Sequence, residues 1–544
     1  MKWISLFIMV LYLVGCSRKP VPEILRYQDV RPYIDQFNAD DDELYVQHIP
    51  NDSVHAFLEK NIPLLDIPDE ELEKIYYFRW WTYRKHIKST EDGFVITEFL
   101  PDVGWAGKHN TINCPAAHHI YEGRWLRDDR YLDDYLHFWL TAAGKGVRSY
   151  SFWIADAMLA YGKVNRKDDF IAEHLPLLVD NYNGWEAERR DAPDRLFWQI
   201  DDRDGMEYSA SGRILNGGER TGGMAAVRPT INSYMYGDAR AIATLAALRG
   251  EEDTAAHFEQ KATQIKEQVQ DRLWNDSLAF FTVLPRDYDD RTEPLDVREL
   301  IGYTPWYFNL PDDRTEYARA WEKLLDTTGF YAPYGLTVCE RAHPFFEIRY
   351  EGHQCQWNGP SWPFATTQTL KAMARFINEY QYSNLLHKED YYQLLRQYAR
   401  SHSITFPDGK TQPWIDENLN PFTGDWISRT RLKTWENGAW SEKKGGRERG
   451  KDYNHSGFCD LVISDLIGLK PQLDDRLVVE PLLPDIWDWF CLDKIRYHGR
   501  DLTILWDRTG ARYGRGRGFK VLCDGREIFV ADEIRDLNIS LPDN

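Results

Sequence analysis

Cysteine is scarce in this chain: seven residues in 544, with no C-x-x-C pair among them. Cys16, Cys114, Cys339, Cys355, Cys459, Cys491 and Cys523 are scattered, which excludes a disulfide-dense scaffold and lacks the spacing of a zinc site. One or two disulfides remain compatible with it. Long apolar runs are missing too. The run at residues 3–14 is too short for a bilayer span; it follows Met1-Lys2 and stops at Leu13-Val14-Gly15-Cys16, the layout of a signal peptide. Nor is there a basic excess. Asp and Glu outnumber Lys and Arg by 86 to 66, and the formal charge of −20 argues against nucleic acid as a ligand. Nothing in the sequence asks for a metal or organic cofactor.

Aromatic residues are plentiful: 21 Trp, 31 Tyr and 25 Phe. Flat apolar faces with polar edges suit sugar rings, and they fill cores equally well. The small residue before Cys16 resembles the bacterial lipobox. That resemblance implies lipidation of Cys16 as the first residue of the mature protein, and Ser17 after it favours the outer membrane within the cell envelope. The roughly 520 residues beyond are enough for more than one domain.

After the signal at 1–16, residues 17–68 are mixed and rich in Pro and Asp, an N-terminal arm. From Asp69 the apolar spacing becomes three to four, predicting a helix through Ile75, Phe78 and Trp81. Further helices are expected at 121–140 and 148–163, the latter with Trp153 and Asp156 on an aromatic face. The clearest unit is a helical hairpin, 232–248 with 254–274, turned at Gly250. Similar pairs follow at 314–326, 363–380 with 389–402, and 456–469. Without any strict sequence repeat, helical hairpins over 69–470 predict a mainly α fold, an (α/α)6 toroid of six hairpins. Past Pro471 short alternating runs such as Leu502-Thr503-Ile504-Leu505-Trp506, with turns at Asp507-Arg508-Thr509-Gly510 and Asp524-Gly525, predict a small antiparallel β domain over 471–544.

The chemistry gathers in four irregular stretches. In Asp201-Asp202-Arg203-Asp204-Gly205-Met206-Glu207-Tyr208-Ser209, four acids lie together with neither a helical nor a strand period. Placed beside Phe197-Trp198, they suggest a cleft loop in which at least one carboxyl has a raised pKa, as a general acid requires. An Asp-rich surface turn or a calcium loop explains the same residues. The second stretch is Gln356-Trp357-Asn358-Gly359-Pro360-Ser361-Trp362-Pro363, where prolines and a glycine fix a loop that aims two indoles. The third, Trp414-Ile415-Asp416-Glu417-Asn418-Leu419-Asn420, sets an acidic pair before a Pro/Gly turn. The fourth runs from Gly445 through Arg447 and Arg449 to Gly457 and enters a helix.

Together, and in this order, the four stretches resemble the clan G inverting glycosidases: the family 63 α-glucosidase and mannosylglycerate-hydrolase-like enzymes and the family 37 trehalases. The acid loop of those enzymes, E-S-G-x-D-x-S, aligns with residues 203–209 and puts Glu207 at the acid position, with Asp204 a rival. Glu417-Asn418-Leu419-Asn420 matches the general-base segment E-x-Y-D/N, and Pro421-Phe422-Thr423-Gly424 its P-x-T-G continuation. The tryptophan loop echoes Q-W-D-x-P-x-G-W-x-P. Three departures bear on the substrate: Glu207 stands for the family's Asp, Arg203 for a Glu and Asn358 for an Asp. The resemblance implies an exo-acting, inverting hydrolase that releases a terminal, α-linked sugar from an oligosaccharide. One protonated carboxyl donates to the leaving oxygen, and a second activates water from the opposite ring face. Trp153, Trp357 and Trp362 would then be sugar platforms, Gln356, Asn358, Asp156 and Arg203 would hold hydroxyls, and Arg447 or Arg449 would keep the base ionised. An α-L-rhamnosidase, an unsaturated-uronyl hydrolase and a non-catalytic glycan-binding lipoprotein are the alternatives.

Overall fold

The structure, a computed structural model, describes residues 23–350, 355–428 and 448–542. Two rings of helices dominate it. The inner ring is built from Ala116–Gly123, Ile154–Asn165, Pro229–Leu248, Thr304–Tyr307, Pro363–Glu379 and the π-wound Leu461–Leu466, each packed on the next. Such helices touch protein on nearly every side. Ala116–Gly123 and Leu461–Leu466 are buried at every position, and small residues (Ala239, Ala241, Ala243, Ala246) let Pro229–Leu248 pack closely.

The outer ring comprises Glu70–Lys85, Arg130–Thr141, Asp168–Arg189, Glu252–Arg272, Thr315–Ala318 with its 3-10 continuation Arg319–Lys323, and Lys388–Ser401. Most of these helices face solvent on one side and carry a single apolar stripe. In Glu252–Arg272 the stripe is Phe258, Ala262, Ile265 and Val269. Pairing outer with inner in chain order gives six hairpins, the toroid expected from the sequence.

The ring closes where its first and last inner helices meet. Glu122 accepts the backbone N–H groups of Phe458, Cys459 and Asp460 at 3.1, 2.9 and 2.9 Å, an anion set on a helix N-terminus. Asp460 in turn receives Arg124 at 2.8 Å and Lys371 at 3.0 Å.

The β region holds a five-stranded antiparallel sheet in the order Leu64–Asp66, Trp489–Tyr497, Arg500–Asp507, Gly518–Cys523, Arg526–Ala531. A second sheet of three strands combines Leu469–Lys470, Arg476–Val479 and Leu537–Ser540. The first strand of the larger sheet comes from the N-terminal arm, with Leu64 opposite Asp493, so the arm joins the far end of the chain as well as the helical body. The six cysteines among the described residues are all free thiols.

Three expectations need correction, and one helix escapes the sequence reading. The helix expected at 148–163 begins only at Ile154, after the 3-10 turn Gly144–Arg148. The segment at 121–140 is two helices, broken after Gly123, where Arg127 and Asp128 turn their backbone N–H groups to Asn61. The hairpin arm at 456–469 winds as a π-helix over Leu461–Leu466. A 22-residue outer helix, Asp168–Arg189, has no counterpart in the sequence reading; Pro176 inside it is the residue that argues locally against a helix.

Candidate active site

The acid loop is held by one of its own carboxylates. Asp201 accepts backbone N–H groups from Gly223 at 2.6 Å, Met224 at 3.0 Å and Asp202 at 2.9 Å, pinning the turn after the strand Trp198–Ile200. Gly205 follows at φ +75°, where an added Cβ would meet Cys114 Sγ at 2.8 Å. Tyr208 then sits in the left-handed region at φ +59°, an uncommon conformation for a non-glycine residue. These two turns set the backbone of Glu207 between them. Ser209 ends the loop by capping the helix Ala210–Leu215 through Gly212 N–H.

Backbone bonds tie this loop to the next two. Trp357 N–H donates to the Glu207 carbonyl at 3.1 Å, and Ser361 exchanges a pair of 3.0 Å bonds with Leu419. The acid, tryptophan and base stretches therefore form one hydrogen-bonded rim, although they lie about 210 residues apart in sequence. The fourth stretch completes it: Arg449 Nη2 donates to Glu417 Oε1 at 2.8 Å.

The rim encloses a cavity of about 320 Å3, lined by Glu207 and Glu417 together with Asp202, Arg203, Trp357 and Trp362. That volume lies within the range of small-ligand sites. Glu207 keeps part of its surface open to the cavity. Burial pushes its carboxyl up to about 8, and the charges of Asp202, Glu417 and Asp201 add to the rise. At neutral pH Glu207 thus holds a proton. Glu417 is 3% exposed and bonded to a guanidinium, which favours its ionised form. The protonated Glu207 and the guanidinium-bonded Glu417 face the same space. Trp357 and Trp362 stack on each other at 4.6 Å and 17°, forming an apolar wall, while Arg203 lies at the rim over the Tyr150 ring.

Several expected site residues serve the framework instead. Asp204, the rival acid, is buried against Arg228 at 2.9 Å and the Thr230 hydroxyl, and is absent from the cavity wall. Gln356 grips the backbone of Arg349 through both ends of its amide, and Asn358 donates to the Phe345 carbonyl, so both fix the tryptophan loop. Trp153 is fully buried beside Tyr234, with ring centroids 4.4 Å apart. Asp156 accepts from the Tyr121 hydroxyl in a second, highly charged cavity that also receives Arg375. Phe364 and Arg375 of one helix line different cavities; at 1.5 Å per residue they are roughly 16 Å apart along its axis, so Asp156 belongs to the other end of the toroid. Arg447 and Cys16 lie outside the described residues.

The wall also contains Glu98 and Trp105, which no motif announced, and Tyr453 and His455, which lie in the fourth stretch without having been given a role. Trp105 is 39% exposed at the mouth, the place for an aromatic platform. Burial holds His455 well below its usual range, leaving a neutral ring between Trp362 and Phe364. The group of possible metal ligands found among the described residues, Glu91, Asp92 and His109, lies outside the cavity, and Lys108 pairs with Asp92 there.

Comparison with known proteins agrees with this architecture. Residues 108–456 match the mannosylglycerate hydrolase MGH1-like glycoside hydrolase domain, and residues 469–530 the C-terminal domain of glycosyl hydrolase family 65. A solved structure named "Sialidase" is 42% identical with a TM-score of 0.84; the match covers 94% of this chain but only 44% of that one. Two more distant structures share the fold. An uncharacterized conserved protein from Thermus thermophilus is 13% identical at TM-score 0.50, covering 72% of this chain and 99% of that one. An α-L-rhamnosidase from Streptomyces avermitilis, complexed with L-rhamnose, is also 13% identical at 0.50, covering 86% and 38%. With its toroid, its paired carboxyls and a match across most of its length, the chain belongs to the MGH1-like glycoside hydrolase family.

Proposed function

We infer that the protein is an exo-acting, inverting glycoside hydrolase that releases a terminal sugar from an oligosaccharide. The observation that carries this reading is the pairing of Glu207, neutral near pH 7, with Glu417, bonded to the Arg449 guanidinium, on one cavity wall. Glu207 donates its proton to the departing glycosidic oxygen as the C–O bond breaks. Glu417 takes a proton from the water that attacks the anomeric carbon from the other face. The product forms with inverted configuration, and Glu207 recovers its proton from solvent. The α linkage rests on the family resemblance.

Four carboxyls (Glu98, Asp202, Glu207, Glu417) and two guanidiniums (Arg203, Arg449) line the cavity, but burial keeps Glu98 and Glu207 protonated near neutral pH, so the lining is close to charge-balanced and sets no preference for a charged or an uncharged sugar. The name of the sialidase relative belongs to a chain more than twice as long, most of it outside the match. Lipid attachment at Cys16 is part of the same proposal, with the enzyme held at the outer membrane. Among the described residues no helix is long and apolar enough to cross a membrane.

The test combines a screen with two substitutions. Aryl α-glucosides, mannosides and rhamnosides are assayed beside oligosaccharides from ulvan, pectin and mannan, and the first-formed anomer is read by proton NMR. Glu207→Gln and Glu417→Gln are each expected to lower kcat at least about a thousandfold while glycan binding persists. Retention of configuration would sink the two-carboxylate scheme, and glycan-array binding without any hydrolysis would favour a binding protein.

A further inference from the structure

Glu98 stands in the cavity wall, yet neither step of the proposed hydrolysis uses it. It follows the strand Gly93–Ile96 and is 7% exposed. One of its oxygens, Oε1, accepts the Tyr453 hydroxyl; the other, Oε2, has no hydrogen-bond partner among the described residues. Tyr453 lines the same cavity. With Oε1 taken by Tyr453, Oε2 is the oxygen left to meet whatever enters the cavity.

The charge state of Glu98 limits what Oε2 can meet. Burial pushes the Glu98 carboxyl up to about 8; the Tyr453 hydroxyl pulls it down, Glu417 adds to the rise and Arg449 opposes it. Near neutral pH Glu98 therefore keeps its proton. Because Tyr453 already donates to Oε1, that proton belongs on Oε2, which then offers a single O–H donor. The attacking water is a poor recipient. A donor to its oxygen would draw electron density from the nucleophile, whereas Glu417 offers it the acceptor that attack needs. A sugar hydroxyl suits the site better, since it can accept from Glu98 and donate to an ionised neighbour.

We propose that Glu98 is a substrate-binding residue, its Oε2–H donating to a hydroxyl of the sugar in the cavity while Tyr453 holds the carboxyl in that orientation. The proposal rests on the glycosidase reading for the identity of the ligand as a sugar, and it deepens that reading by naming a sugar hydroxyl as the group held.

The experiment has two arms. In the first, Glu98→Ala lowers kcat/KM on the substrate found by the screen by about tenfold or more, and Glu98→Gln recovers most of that loss. The glutamine keeps an acceptor for Tyr453 and an N–H donor in place of Oε2–H. In the second, Glu207→Gln removes titration of the acid and permits binding measurements with the same oligosaccharide by calorimetry. Affinity then falls as pH rises through about 8 when Glu98 is present, and that fall is absent in the Glu207→Gln/Glu98→Gln double variant. A Glu98→Gln enzyme as damaged as Glu98→Ala, or the same alkaline loss in both backgrounds, overturns the proposal. Should the wild type bind glycans on an array without cleaving them, hydrolysis falls and the same comparisons, read as array affinities, still decide Glu98. If it neither cleaves nor binds any of them, both readings fall.

Discussion

Glu207 owes its proton to its surroundings rather than to its residue type. An exposed glutamate would ionise near pH 4.5, whereas burial here, followed by the charges of Asp202, Glu417 and Asp201, moves it to about 8. The competent form of a general acid is the protonated one, so hydrolysis should be supported below that pH and decline as pH rises through it. Asp202→Asn removes one of the charges that raise the pKa. The alkaline limb of kcat/KM should therefore move to lower pH than in the wild type, and an unmoved limb would exclude Glu207 as the group that sets it. Three residues away, Asp204 shows why spacing alone left two candidates. Its partner, Arg228, lies 24 positions further along the chain, and no local pattern reveals that the turn at Gly205 sends one carboxyl into an ion pair and the other to the cavity.

The loops were legible for a physical reason. Polar residues set between tryptophans, prolines and glycines cannot be helix faces or strands, so their order announced a site before any geometry did. Helical registers were harder to read. By their spacing Trp153 and Asp156 share one aromatic helix face, yet Trp153 is the N-cap that precedes Ile154–Asn165, buried beside Tyr234, and the register of that helix points Asp156 to the far cavity. Glu98 was invisible for the opposite reason: a single acid after a short strand, with no motif around it. Among the loops, the approach of Gly450 to the base stretch is unusually close. A Cβ at that position would lie 1.9 Å from Asp416 Oδ1, so Gly450→Ala must displace the residue next to Glu417. Displacements of about 1 Å near a reacting group lower rates by roughly a hundredfold, and the loss should fall on kcat with the melting temperature little changed. A Gly450→Ala enzyme that unfolds before it loses turnover would assign the contact to stability instead.

At the scale of the molecule, the six-hairpin plan followed from periodicity, but its closure did not, because the closing contacts join residues more than 330 positions apart. Asp460 is the meeting point. One oxygen receives Arg124, Trp125 and Ser464 at 2.8–2.9 Å, and the other receives Lys371 at 3.0 Å, so a buried carboxylate links the first, fifth and sixth inner helices. These cations hold its pKa well below the ordinary aspartate range. A depressed folded-state pKa adds stability that is in place above the unfolded value of 3.8 and is lost as pH falls below it. Asp460→Asn would turn an amide N–H2 toward the Lys371 ammonium and leave two buried cations undercompensated. Breaking a pair of this kind costs about 3–5 kcal/mol, to be read as a lower denaturation midpoint and a smaller acid sensitivity of the remaining stability. The rim that brings Glu207, Glu417 and Arg449 together exists only while the ring is closed. Asp460→Asn should therefore lose activity in parallel with folded fraction across a denaturant series, whereas Glu207→Gln loses activity at full stability. Activity retained by Asp460→Asn through its own unfolding transition would mean that the mouth of the toroid holds its geometry without the closure.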